Sequence, residues 1–275
     1  MPSFITDDDT DIHLRPAESN PSPRIKPPPK TSSIPVPFSY FPSDDGTDEN
    51  LLILLHGLGD THVPFSKLGR QLNLPQTATL ALRAPDQIPF LYEQAFQWYT
   101  SFDPLGELLD RPNPTPALDL LLRVLTHLTG ECGWPPGRIH LFGFAQGGSV
   151  AAEVCILWWR RELQRQKSKE GDPRPLGSLI SISGPMLSYP TLSSPCLTPA
   201  LVFHRAPPSE LALPNDALTS FRKAFVSVLE VKKAGDGMPR SKDEWEPLMR
   251  FWSEKLERRQ GEGLYEVMTS GISRS

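Results

Sequence analysis

The chain has 275 residues, a formal net charge of −4 and 38% hydrophobic residues, which suits one large α/β domain or two small ones. That charge offers no field for nucleic acid, and no apolar run reaches the 18 or so residues of a membrane span. Its three cysteines, Cys132, Cys155 and Cys196, form no CxxC pair, which predicts reduced thiols, no metal or other cofactor, and a cytoplasmic or nuclear setting.

The first residues, MPSFITDDDTDIHLRP, lack the basic start and apolar core of a signal peptide. Ten of the first 42 residues are proline, and residues 1–34 are expected to form a disordered, polyproline-like tail. Leu51–Leu55 is a continuous apolar run that suits a strand buried on both faces. A helix over Pro64–Leu74 and a strand over Thr79–Arg83 follow. Thr115 can cap a helix with Pro116 at its first position, placing Leu118, Leu121, Leu122, Leu125 and Leu128 on one face. Ile139–Phe144 reads as another strand, and Gln146 opens a long helix to about Gln166. The charged stretch Lys167–Arg174 reads as an exposed loop. Strands are expected at Leu179–Ser183, Ala200–His204 and Val226–Lys232, with a helix over Asp216–Phe225. Ser241 and Glu244 form a capping box for a last helix. Pro247 fits its interior badly, so the helix starts either at this box or nearer Glu246, with Pro247 in its first turn. This alternation predicts an α/β domain over residues 35–262, a mainly parallel sheet with helices on both faces, and a flexible tail over 263–275.

Three motifs carry chemistry. Leu55-His56-Gly57-Leu58-Gly59-Asp60-Thr61 follows a buried strand, Gln97-Trp98-Tyr99 comes next, and Gly143-Phe144-Ala145-Gln146-Gly147-Gly148 occupies a strand-to-helix corner. In this order they resemble the phospholipase/carboxylesterase family of α/β-hydrolases, which includes the acyl-protein thioesterases and reads LHGLGDT and GFSQGG at the two glycine sites. The resemblance spans roughly residues 35–260. It implies the α/β-hydrolase fold with a seven-stranded sheet, and hydrolysis of long-chain acyl esters or thioesters by a serine, histidine and aspartate.

The residues depart from that chemistry. The nucleophile position implied by the resemblance falls on Ala145, whose methyl group cannot attack a carbonyl. Ser149 lies one helical turn away from the tip. The orienting aspartate falls on Pro208, with Glu210 two residues late. The histidine falls on Asp236. Independently of any alignment, the six histidines are His13, His56, His62, His127, His140 and His204, so none follows the last strand. A carboxylate with an ordinary pKa of about 3.9 is a poor general base for a hydroxyl.

Some site features persist by position. The resemblance implies oxyanion-type N–H groups at Leu58 and Gln146, able to hold a carbonyl, a carboxylate or water. The glycines equally suit a purely structural corner. His56, Gly57, Trp98 and Tyr99 border the expected acyl pocket. His56 reads as a loop-fixing group, and the aromatic run of Phe90, Tyr92, Trp98, Tyr99 and Phe102 reads as filled core or as pocket wall. Trp158 belongs to an inward stripe, leaving Trp159 partly exposed beside Arg160 and Arg161, as an interface anchor or under an arginine pair snorkelling over the core edge. Three functions fit: a degenerate family member binding an acyl or small apolar ligand or acting as a scaffold; an active hydrolase with a rearranged set in which Asp236 or Glu210 activates water; and a protein that binds a protein partner through the Trp159 surface.

Overall fold

The computed structural model describes residues 13–16, 24–89, 94–189, 191–214, 216–259 and 265–268. They divide between two compact units. The smaller, residues 1–23 with 259–275, contains an antiparallel pairing of His13–Pro16 with Tyr265–Met268. Both strands fall in segments that composition assigns to tails, because pairing between distant segments leaves no mark in composition.

The larger unit, Arg24–Arg258, is built on a seven-stranded sheet. Its strands are β1 (Phe38–Phe41), β2 (Asn50–Leu55), β3 (Thr77–Leu82), β4 (Ile139–Phe144), β5 (Ser178–Ile182), β6 (Ala200–Arg205) and β7 (Val228–Lys233). The order is β7-β6-β5-β4-β2-β3-β1, parallel throughout except that β1 runs antiparallel to β3 at one edge. The helices are α1 (His62–Leu72), α2 (Thr115–Gly130), α3 (Gln146–Lys167), α4 (Ala217–Ala224) and α5 (Lys242–Lys255). Parity along β2 divides the core. Leu51, Ile53 and Leu55 join the cluster built with α2, α3 and α4, while Leu52 and Leu54 join the one built with α1 and α5. Every β2 residue is buried, and each such leucine stabilises the fold by roughly 2 kcal/mol before chain entropy is subtracted.

The structure departs from these expectations in other places too. Residues 24–34 belong to the packed unit. Lys26 N–H donates to Asp48 at 2.8 Å, Lys30 N–H to His127 Nε2 at 3.1 Å, and Ile34 is buried. An extended proline-rich segment can direct its few N–H groups to distant side chains, and composition does not reveal this. On α2 the buried face is Ala117, Leu120, Leu121, Val124, Leu125 and Leu128, with Leu118 and Leu122 only partly covered. Its N-cap is Pro114, and Asn113 Oδ1 accepts the Thr115 N–H at 3.1 Å. The capping-box start expected for the last helix holds: α5 is capped by Ser241, whose hydroxyl accepts from Glu244 N–H, and Pro247 lies inside it. The Glu244 carboxylate does not return to its own cap but accepts from Arg240 N–H and Arg205.

Trp159 is a further departure. Both tryptophans are buried, Trp158 donating to the Arg174 carbonyl at 2.9 Å and Trp159 to the Ser194 carbonyl at 3.0 Å. Adjacent helical positions point about 100° apart, but separate chain segments cover both directions. The Trp159 surface needed by the partner-binding reading is therefore not there. Among the described residues no helix is long and apolar enough to cross a membrane.

Candidate functional site

The corner after β4 keeps the geometry of a nucleophile elbow. Ala145 has φ 48° and ψ −116°, a region where a side chain stores roughly 1–3 kcal/mol of strain. Its N–H donates to the Ile182 carbonyl at 2.8 Å, and its carbonyl accepts from Ser149 N–H at 3.0 Å. Close backbone approach fixes the flanking glycines. A Cβ on Gly143 would lie 2.2 Å from the Gly147 carbonyl oxygen, and one on Gly147 would lie 2.3 Å from that of Leu55. Ser149 is buried one turn into α3 and takes no part in the tip.

The His56 loop closes directly over this corner. A Cβ on Gly57 would meet Phe144 Cδ1 at 2.9 Å and the Ala145 methyl at 3.6 Å. His56 Nε2 accepts the Ala84 N–H at 2.9 Å, which leaves Nδ1–H to donate to the Gly57 carbonyl at 2.7 Å. Burial lowers its pKa and keeps the ring neutral. Trp98 Nε1 donates to the His56 carbonyl at 2.8 Å. The Gln146 side chain ties in the next segment: its Oε1 accepts Trp98 N–H at 2.9 Å, and its Nε2 donates to the Tyr99 carbonyl at 2.9 Å and the Ser101 hydroxyl at 2.7 Å. His56, Trp98 and Tyr99 are thus packed in the interior, while Leu58 and Phe102 are exposed. Phe90 and Tyr92 lie outside the described residues. Gln146 opens α3, so its backbone N–H is one of the four with no intrahelical acceptor.

The two loops that face this corner are organised by residues the sequence reading passed over. β6 and β7 lie two and three strand spacings from β4, about 10 and 14 Å. Arg205, the last residue of β6, is 1% exposed. Its guanidinium donates to three carbonyls of the loop after β7: Gly237 at 3.0 Å, Ala234 at 2.8 Å and Met238 at 2.9 Å. It also pairs with the Glu244 carboxylate, whose hydrogen bond from Arg205 holds its pKa at about 2. Farther out, the Ser209 hydroxyl donates to Asp236 Oδ1 at 2.7 Å. That bond, with one from Gly237 N–H, pulls the exposed Asp236 carboxyl below its ordinary range. Pro208 and Glu210 are exposed. His204 lies on β6 itself, bonded to Glu230 at 3.1 Å.

A family model described as Phospholipase/Carboxylesterase matches residues 42–165. An uncharacterized hydrolase of Mycosarcoma maydis is 42% identical over 221 residues, covering 78% of this chain and 80% of the relative. The chain belongs to the phospholipase/carboxylesterase family. A second uncharacterized hydrolase, from Schizosaccharomyces pombe, is 28% identical over 169 residues, 58% of this chain and 65% of that one. Among solved structures, esterase PE8 matches with TM-score 0.63 at 20% identity, covering 80% of this chain and 99% of that one. The Zea mays acyl-protein thioesterase 2 matches with TM-score 0.60 at 20% identity, covering 81% and 100%. The α/β-hydrolase fold of this family member is thereby shown, with its mostly parallel central sheet.

The family fold places the sequence-derived positions in two groups. Gly57, Ala145 and the Gln146 backbone meet at the corner. Pro208 and Asp236 sit on the neighbouring loops, joined through Ser209 rather than through an imidazole. Arg205 and Glu244 carried only a faint sequence signal: the capping box marked Glu244, but nothing marked its partner 39 residues away.

Proposed function

We propose that this family member is catalytically degenerate and works as a binding or scaffold protein rather than as a serine hydrolase. The observation that carries the reading is the strained elbow at φ 48° with a methyl group at its tip. The facing loops add to it. Where an acid and a base would cooperate, Arg205 and Glu244 tie loop to strand, and Asp236 is engaged by Ser209. The lowered pKa of Asp236 weighs against the rearranged hydrolase, because a more acidic carboxylate is a weaker base toward water. Leu58 and Gln146 N–H groups would hold the carbonyl or carboxylate of an acyl ligand, with Gly57 and Ala145 leaving room for it.

The test is turnover of an unactivated acyl thioester by wild type and by Ala145→Ser, with phosphonate labelling of both and native mass spectrometry for co-purified acyl ligand. Neither protein is expected to turn over at an enzyme's rate. The triad acts as a unit, and a serine alone has no base. Residual activity of about 10³–10⁴-fold over water with activated esters is compatible with isolated N–H donors. Ordinary turnover by either protein would return the chain to the active hydrolases. Co-purified ligand lost in Gly57→Val would support the binding role.

A further inference from the structure

An open groove lies away from the elbow, beside β7 at the sheet edge. It measures about 620 Å³ and is lined by Leu229, Val231, Pro247 and Phe251, with Arg250 and Glu254 on its rim. Leu229 is 47% exposed, and Val226 just before the strand is 63% exposed. An unpaired edge flanked by exposed apolar side chains is a template for another strand.

The backbone of β7 specifies what can pair there. Ala200 N–H bonds the Ser227 carbonyl, and Ala206 N–H bonds the Lys233 carbonyl. Within a strand the N–H and C=O of one residue point the same way, and successive residues alternate. The odd-numbered residues from Ser227 to Lys233 are therefore committed to β6. Val228, Glu230 and Lys232 turn their backbone groups outward, where no other strand of the unit's described residues lies. The side chains divide by the same parity. Val231 packs with Phe251 on the α5 face. Glu230 lies on the other face with His204 and Arg222, at 3.1 and 3.0 Å.

We propose that this edge is the contact between two copies of the chain, paired antiparallel about a twofold axis through Val231. In that register Glu230 and Lys232 of one copy stand directly opposite Lys232 and Glu230 of the other, and their outward N–H and C=O groups exchange four hydrogen bonds. A shift of the axis to Glu230 sets two carboxylates against each other, which cross-strand pairing penalises. The axis runs perpendicular to the sheet, so the two α5 helices lie on one face, antiparallel. Exposed charges of both signs, Glu246, Arg250 and Glu254, lie on this helix. Leu229 and Val231 of each copy then close the other's groove.

Sedimentation of the full chain across the micromolar range tests this, with circular dichroism melts to confirm folding. Wild type is expected to dimerise. Lys232→Glu sets carboxylate against carboxylate twice and should weaken the dimer on the order of tenfold to a hundredfold. Leu229→Asp, at a half-exposed position, should do the same without touching the Glu230 network. Glu230→Lys alone should also be monomeric, yet mixed with Lys232→Glu it should form a heterodimer in which every facing pair is again opposite in charge. A monomeric wild type throughout this range overturns the proposal. So does a dimer indifferent to Lys232→Glu and Leu229→Asp, or two folded single variants that fail to associate on mixing.

Discussion

The elbow corner and the loops after β6 and β7 lie at the same end of the parallel strands but are held together differently. At the corner, close backbone contacts at Gly143, Gly147 and Gly57 set the turn, and Ala145 at positive φ places a methyl group at its tip. At the loops, the connections run through side chains: a buried arginine binds three carbonyls and a carboxylate. The difference teaches which part of such a site belongs to the fold. The corner is where α3 enters against β4 and β2, so its shape is held by core packing. The loops project beyond the strands and can be rebuilt without disturbing the sheet.

The largest expected effect tests that distinction. Gly143→Ala places a methyl 2.2 Å from backbone oxygen that cannot move without displacing α3. It should cost about 4 kcal/mol or more, read as a fall in the urea midpoint. A mild effect would mean the corner yields and is not held by the core.

Arg205→Met comes next. It leaves Glu244 and three loop carbonyls without their partner, at a cost of about 3–5 kcal/mol. Hydrogen exchange should rise in the loop 233–239 and stay unchanged at the elbow. Exchange rising equally in both would show that corner and loops are one cooperative unit.

Acid should separate the two regions. His140, on the strand feeding the elbow, bonds the Ser178 hydroxyl at 2.8 Å, and burial pushes its pKa down to about 3 from 6.5. The unfolded chain binds that proton first, so stability is complete above pH 6.5 and falls as pH drops toward 3. At about pH 5 the loss is roughly 2 kcal/mol from this group. Glu244 has its pKa held at about 2 against an ordinary 4.5, so the stability it contributes is present above 4.5 and lost only below. Melting curves from pH 8 to 5 should fall for wild type and fall less steeply in a folded His140→Gln variant, where His56 and His62, also lowered by burial, keep part of the slope. An unchanged slope in that variant would remove His140 from the account.

The smallest effect concerns strain. Ala145→Gly relieves a positive φ and should stabilise by about 1 kcal/mol, partly offset by the freer unfolded chain. A loss of stability would mean that the methyl contributes packing that outweighs its conformation.

Much of the fold was legible because it rests on local patterns. Apolar runs at Leu51–Leu55 and Ile139–Phe144 can be satisfied only by strands covered on both faces, and the glycines around Ala145 mark a close turn wherever they occur. The absence of a histidine after the last strand is a matter of residue identity and needs no coordinates. β1 escaped notice because Phe38–Phe41 follows prolines and is only half-buried at an edge, where little alternation is required. The sequence by itself thus determined the parallel strands of the sheet, the elbow and the identity of the side chains available for chemistry. Tertiary structure alone decided that residues 24–34 pack, that Trp159 is covered by the segment carrying Ser194, and that Arg205 reaches Glu244. Each of these joins residues far apart along the chain. No local periodicity encodes such a pair, because the free energy that forms it exists only once the strands and helices have brought its members together.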